Sequence, residues 1–130
     1  MKNPLFLFLL LAAFALPAIT HAAPPAPATA DNPAFTPVAE KRTAGIMGSL
    51  NLDDTTRAAR VKQHILNFMF TTKNAYEGNT PLTGDALQQA LVHARTELYA
   101  ALDAENLPAE QKVIIKNGLS ANHYKINYNA

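Results

Sequence analysis

Residues 50–79 read LNLDDTTRAARVKQHILNFMFTTKNAYEGN, and the apolar spacing in this run decides the fold class. Val61, Ile65, Phe68, Met69, Thr72 and Tyr76 follow at steps of four, three, one, three and four. At 3.6 residues per turn those steps draw one stripe along a helix, whereas a half-buried strand needs alternation. Asp53 is expected to cap the helix, with Asp54 in the first turn, where a negative charge meets the positive end of the helix dipole. Gly78 is expected to end it. Arg57, Arg60, His64 and Asn67 fall largely on the opposite side.

Toward the C-terminus, EGNTPLTG is rich in turn formers and separates this helix from the next. Asp85 with Gln88 three residues on has the form of a capping box. Leu87, Leu91, Ala94, Leu98, Ala101 and Leu102 then draw a second helical stripe, and this helix is expected to run to Ala104 or Glu105. NLPAEQKVIIKNGLS admits two readings. Asn117-Gly118 after Val113-Ile114-Ile115 can form a tight β-hairpin turn. Alternatively a helix begins near Pro108 and ends with Gly118 at C′. Proline early, acid in the first turn and glutamine close behind are helix-start signals, so the helix is preferred. Beyond Gly118, Tyr124, Ile126 and Tyr128 alternate with His123, Lys125, Asn127 and Asn129 in the period of a strand.

Toward the N-terminus, a short first helix is expected from Pro37, with Thr36 as its cap and Val38, Ile46 and Leu50 on its inner face. Gly45 and Gly48 weaken it by about 1 kcal/mol each relative to alanine. Residues 23–37, APPAPATADNPAFTP, hold five prolines and read as a flexible, extended tether. Residues 1–22 begin with one lysine, Lys2. An apolar run from Leu5 to Leu16 follows, then Pro17 and small residues. That is the layout of a secretory signal peptide, with cleavage expected after Ala22, and the run is too short to span a bilayer.

Removing Lys2 with the leader leaves ten Lys/Arg against ten Asp/Glu. A neutral chain without a basic run argues against nucleic acid as a partner and against electrostatic attachment to a membrane after signal cleavage. There is no cysteine, so an exported fold must be held by packing alone. About a hundred mature residues suffice for one modest core.

LNLDDTTRAARVKQHILN and LPAEQKVIIKNGLSANHYKINYN together resemble a family of exported bacterial proteins known as a domain of unknown function. Its pattern is a LxLxDxxxAARV helix start, a LTPEQ-like turn opening a helix that ends in KxGMT, and a segment ending in TYN. The matching residues are Leu50, Leu52, Asp53, Ala58, Ala59, Arg60 and Val61, then Leu107, Glu110, Gln111 and Gly118, then Tyr128 and Asn129, within residues 39–129. The loop after Tyr76 lacks the His/Asp/Arg-bearing stretch of that pattern, and the chain stops where the family continues into another helix, as in a truncated domain. The resemblance implies an exported, mainly helical domain encoded among genes for polysaccharide breakdown, without an established activity. A looser similarity links the Leu-x-x-Glu-Gln turn to small periplasmic helical chaperones.

Candidate sites are few. His64, His93 and His123 lack the i,i+4 spacing of a helical metal site, and no metal or cofactor is expected. Glu77, Glu97, Glu105 and Glu110 are the carboxylates available for a glycosidase pair, which needs two of them about 5–10 Å apart across a cleft. Ser49 and Ser120 lie outside any nucleophile elbow, so no catalytic residue is assigned. Arg57 and Arg60, one turn apart, can hold an acidic sugar's carboxylate, against the plainer reading of a solvated or salt-bridged face. Tyr124 and Tyr128, with Tyr76 and Tyr99, can stack on sugars, against the plainer reading of core-edge packing. The expectation is therefore an all-α bundle of three to four helices over residues 38–130, with a Pro-rich tether first and an irregular or strand-like tail last. It is expected in the periplasm or secreted, as a non-catalytic binding or accessory protein for carbohydrate or another exported protein. A carbohydrate-active enzyme or sugar-binding module is the second reading and a small chaperone the third. Weak self-association is expected through the tail.

Overall fold

The computed structural model describes residues 25–120, and four helices carry them. They are α1 (Thr36–Leu50), α2 (Thr55–Glu77), α3 (Gly84–Ala104) and α4 (Ala109–Ser120), with a 3-10 turn, Pro33–Phe35, leading into α1. There is no strand among the described residues, so the all-α bundle read from the sequence is observed. No helix among them is long and apolar enough to cross a membrane.

The longest helix, α2, packs against α1 on one side and α3 on the other, while α4 returns against α1. Its cap is Asp54, one residue later than expected. Asp54 is extended at ψ 110°, and its carboxylate accepts the N–H groups of Thr56 (2.9 Å) and Arg57 (3.1 Å). The buried residues Val61, Ile65, Leu66, Met69, Phe70 and Thr72 make a wider face than the single stripe read from spacing. A helix gripped from two sides buries a broader arc, and that brings in Leu66 and Phe70.

Helix α1 is not marginal: it runs 15 residues through both glycines. Its inner face is Ala39, Thr43, Ile46 and Leu50, while Val38, expected inside, is 52% exposed. Thr36 lies in the first turn rather than at the cap; Phe35 holds that position without a side-chain bond. Instead Asn32 caps the preceding 3-10 turn by accepting the Ala34 N–H at 3.0 Å. Phe35 is buried edge-to-face on Phe70, with ring centroids 6.1 Å apart and planes at 78°.

The capping box expected at Asp85 and Gln88 does not form. Helix α3 starts at Gly84 (φ +58°), which puts Asp85 in the first turn, and Thr83 at the cap makes no side-chain bond. Leu91, Ala94, Leu98 and Leu102 are buried as expected. Of the two readings of residues 107–120, the structure takes the helix. Asn117-Gly118 lies inside α4 rather than in a hairpin turn or at C′. Gly118 packs closely on α1: a Cβ there would lie 2.6 Å from Ile46 Cγ1. Beside that contact the Arg42 guanidinium donates to the Gly118 carbonyl at 3.2 Å.

Residues 25–31, expected to be part of a free tether, are instead strapped along α2. The amide side chains of Asn67 and Asn74 hydrogen-bond their backbone, and Ala28 and Ala30 pack against the core. The small alanines let an extended chain lie close to the helix. The expected signal peptide, residues 1–22, and the tail, residues 121–130, lie outside the described residues.

Candidate functional site

Arg57, Arg60, His64, Asn67, Thr71 and Asn74 follow at steps of three and four along α2 and form a polar stripe beside its apolar face. Asp54 starts the helix, and so the register of the stripe, by fixing the first turn. The stripe is not simply solvated. Its first half meets the turn between α3 and α4, and its second half meets the N-terminal strap.

Glu105 closes α3, and its side chain is 3% exposed. Arg60 engages it with two parallel bonds, Nε to Oε2 at 2.7 Å and Nη2 to Oε1 at 2.8 Å. This is the fork-on-carboxylate geometry that makes such pairs strong. Arg57 Nη2 donates to the Asn106 carbonyl at 2.9 Å, and Asn106 makes the sharp turn possible by taking φ +56°. The bonds from Arg60 hold the Glu105 carboxyl below the usual carboxylate range against the opposing effect of burial. Asp54 is also held low, first by the Arg57 N–H that it caps. The expectation that Arg57 and Arg60 hold a ligand's carboxylate is therefore changed. The chain's own Glu105 occupies Arg60, and a backbone carbonyl engages Arg57.

His64, one turn beyond Arg60, is half-buried rather than on an open face. Burial pushes its pKa below 6.5, and the Arg60 charge acts in the same direction, while Glu105 pulls the other way. It lines an open groove of about 370 Å³ between α2 and α3. Asn67, Phe68 and Thr71 from α2 and Glu97 and Leu98 from α3 complete most of its wall, and Pro25 of the strap forms one rim. The groove thus sets polar groups, with Thr71 and Glu97 exposed, beside partly buried apolar side chains. A second groove, of about 390 Å³, lies on the other side of Phe68 and Leu98. Tyr99, Arg95, Lys116 and Leu119 line it.

The other carboxylates do not converge. Glu77 pairs with Lys73 at 2.7 Å, Glu110 lies in the first turn of α4, and Glu97 is on the groove. Ser49 and Ser120 donate to carbonyls one turn back in their own helices, Gly45 and Lys116. Among the described residues no group of three or more His, Asp or Glu is placed to hold a metal ion. Tyr124, Tyr128 and His123 lie outside the described residues. The sequence does not single out Asn74, and it places Asn67 only on the side away from the apolar stripe. Their seven-residue separation in line with Arg60 and His64 was the available signal.

What fold and site define is the class of small all-α bundles with a mixed polar and aromatic groove between two helices. No family model, no curated protein and no solved structure matches the chain.

Proposed function

We propose that this chain is an exported, non-catalytic binding protein whose α2–α3 groove takes a small carbohydrate-like ligand. The observation that carries the reading is the composition of that groove. Phe68, Leu98 and the alanines of α3 give it an apolar floor, and His64, Thr71 and Glu97 offer donors and acceptors around it. Its volume, about 370 Å³, lies in the range of roughly 300–1,000 Å³ usual for small-ligand sites. Binding is favoured over glycoside hydrolysis because Glu97 is the single carboxylate of the lining among the described residues, and hydrolysis at a glycosidic bond requires two. Export is supported by the charge, apolar run and small residues of residues 1–22. The motif resemblance supports the link to polysaccharides.

Affinity electrophoresis of the purified protein through gels containing plant and algal polysaccharides tests the reading. The expected result is retarded migration on at least one of them, reduced at least fivefold in apparent affinity by Thr71→Ala with Glu97→Gln. Both residues are exposed, so the fold is left intact. Absence of retardation across the panel, or retardation indifferent to both substitutions, overturns the groove as the site. Released reducing ends would replace binding with catalysis. Intact mass of protein recovered from periplasm or medium tests export, with a chain beginning at Ala23 expected and one beginning at Met1 contradicting it.

A further inference from the structure

The side chains of Asn67 and Asn74 each grip the backbone of the N-terminal strap twice. Asn67 Nδ2 donates to the Ala26 carbonyl at 2.9 Å, and its Oδ1 accepts the Ala28 N–H at 2.9 Å. Asn74 Nδ2 donates to the Thr29 carbonyl at 2.8 Å, and its Oδ1 accepts the Asp31 N–H at 2.8 Å. A carboxamide is suited to this task because it carries a donor and an acceptor side by side without charge. The two grips are the same grip repeated, displaced by three residues of strap and seven of helix. Seven residues of α-helix advance about 10.5 Å, and three residues of polyproline II advance about 9.3 Å. A β-strand rises by a similar distance, but its period of two turns every third residue to the opposite face. A polyproline II helix, with three residues per turn, returns to the same face. The three-residue repeat of the grips is therefore the one a polyproline II chain, read every turn, would present to an α-helix read every second turn.

Only the N–H groups of residues 28 and 31 are used, so proline is free to occupy positions between them and before them. The sequence there, PPAPATAD over residues 24–31, places its three prolines before Ala28, at 24, 25 and 27, and none between Ala28 and Asp31. Gln63 Nε2 donates to Asn67 Oδ1 at 2.8 Å, which fixes the amide in the orientation that the strap requires. At the far end Asp31 Oδ2 accepts the Asn79 N–H at 2.8 Å, beside Gly78. A Cβ on Gly78 would strike both Asp31 Oδ2 and the Asn74 carbonyl, so glycine leaves the room in which the strap ends. The contacts made to the strap backbone read its shape and the placing of its prolines. The alanines at 28 and 30, packed on the core, add a demand for small side chains.

We propose that the Asn67–Asn74 face of α2 is a recognition site for extended Pro/Ala-rich peptide segments, occupied in cis by residues 25–31. The partner it fits is a polyproline II segment with small side chains and a free N–H at every third residue. The cis segment holds the site at an effective concentration on the order of millimolar, so a peptide in trans competes well only when the strap is weakened.

The probe is a labelled synthetic peptide of residues 23–32, APPAPATADN, titrated by fluorescence anisotropy into the full chain and into Ala28→Pro. That substitution removes an N–H that Asn67 reads and lies outside every helix, so the helical circular dichroism should not change. Ala28→Pro is expected to bind the peptide at least tenfold more tightly than the unsubstituted chain. Adding Asn67→Ala and Asn74→Ala to it should weaken binding at least tenfold, whereas adding Glu97→Gln should leave peptide binding unchanged, which separates this site from the groove. Amide exchange on the unsubstituted chain is the independent measurement. Ala28 and Asp31 should exchange slowly, with Thr29 and Ala30 faster, and Asn67→Ala with Asn74→Ala should abolish the difference. Equal peptide affinity in Ala28→Pro and the unsubstituted chain, or unprotected amides at both Ala28 and Asp31, overturns the proposal.

Discussion

Glu105 is a carboxylate with little access to water, and it stays charged because Arg60 meets both of its oxygens. Glu105→Gln keeps the shape and removes the charge, leaving an amide N–H₂ facing a guanidinium. Loss of a hydrogen bond to a charged group costs roughly 1.5–3 kcal/mol, which is the expected drop in unfolding free energy by urea titration. The roughly 3–5 kcal/mol of a fully buried pair is not expected, because the Arg60 side chain retains 19% of its exposure. The pH dependence follows from the same cluster. Glu105 and Asp54 bind protons less readily folded than unfolded, so each contributes stability that is present above its ordinary value, 4.5 or 3.8, and lost as pH falls through the lower folded value. His64, buried beside Arg60 and Glu105, is also shifted down. Below pH 6.5 the unfolded chain takes up its proton first, and stability falls until the folded histidine protonates. Stability is thus expected to decline in two stages on acidification, the first starting near pH 6.5. His64→Gln should remove the first stage and leave the second. A first stage of equal size in His64→Gln would show that His64 does not cause it.

At the scale of elements, the glycines behave in opposite ways for a reason that propensity alone does not contain. Gly45 and Gly48 lie on the exposed side of α1, where a Cβ would meet nothing within 4 Å. Gly48→Ala should therefore raise stability by about 0.5–1 kcal/mol, the helix-interior difference between the two residues. Gly118→Ala gains the same propensity but drives its Cβ into Ile46, which is itself 6% exposed and has nowhere to go. Overpacking of this kind costs about 1–3 kcal/mol, so the net change should be destabilising. Thermal melts of the two variants, shifting in opposite directions, check the pair; a higher melting temperature for Gly118→Ala would show that α4 can lift away from α1. Apolar period and start signals made α2, α3 and α4 legible in the sequence. α1 was undervalued because its glycines count against it locally, whereas Ala39, Thr43, Ile46 and Leu50 hold it through contacts with other helices.

At the scale of the whole molecule, the described residues share one core, and the sequence offers no cysteine to brace it. Ile65, fully buried at the centre of α2, should lose about 2–5 kcal/mol on Ile65→Ala. Val92, 54% exposed on α3, should stay within about 0.5 kcal/mol on Val92→Ala. Chemical unfolding of both variants checks the inside–outside assignment, which fails if the two changes are equal. By itself the sequence determined the helical class, because steps of three and four are a property of one chain and one period. It determined both ends of α2 and α3 and the start of α4 to within a residue or two, because Gly78, Pro108 and the Asp53–Asp54 pair act on their immediate neighbours, whereas Gly118 did not end α4, which runs on to Ser120. Only the tertiary structure decided what the polar stripe of α2 meets. Arg60 finds its carboxylate 45 residues away, and Asn67 and Asn74 find backbone 39 to 45 residues away. A hydrogen bond between distant segments has no period. Until the chain folds back, a side chain that will bond to protein and one that will bond to water look alike.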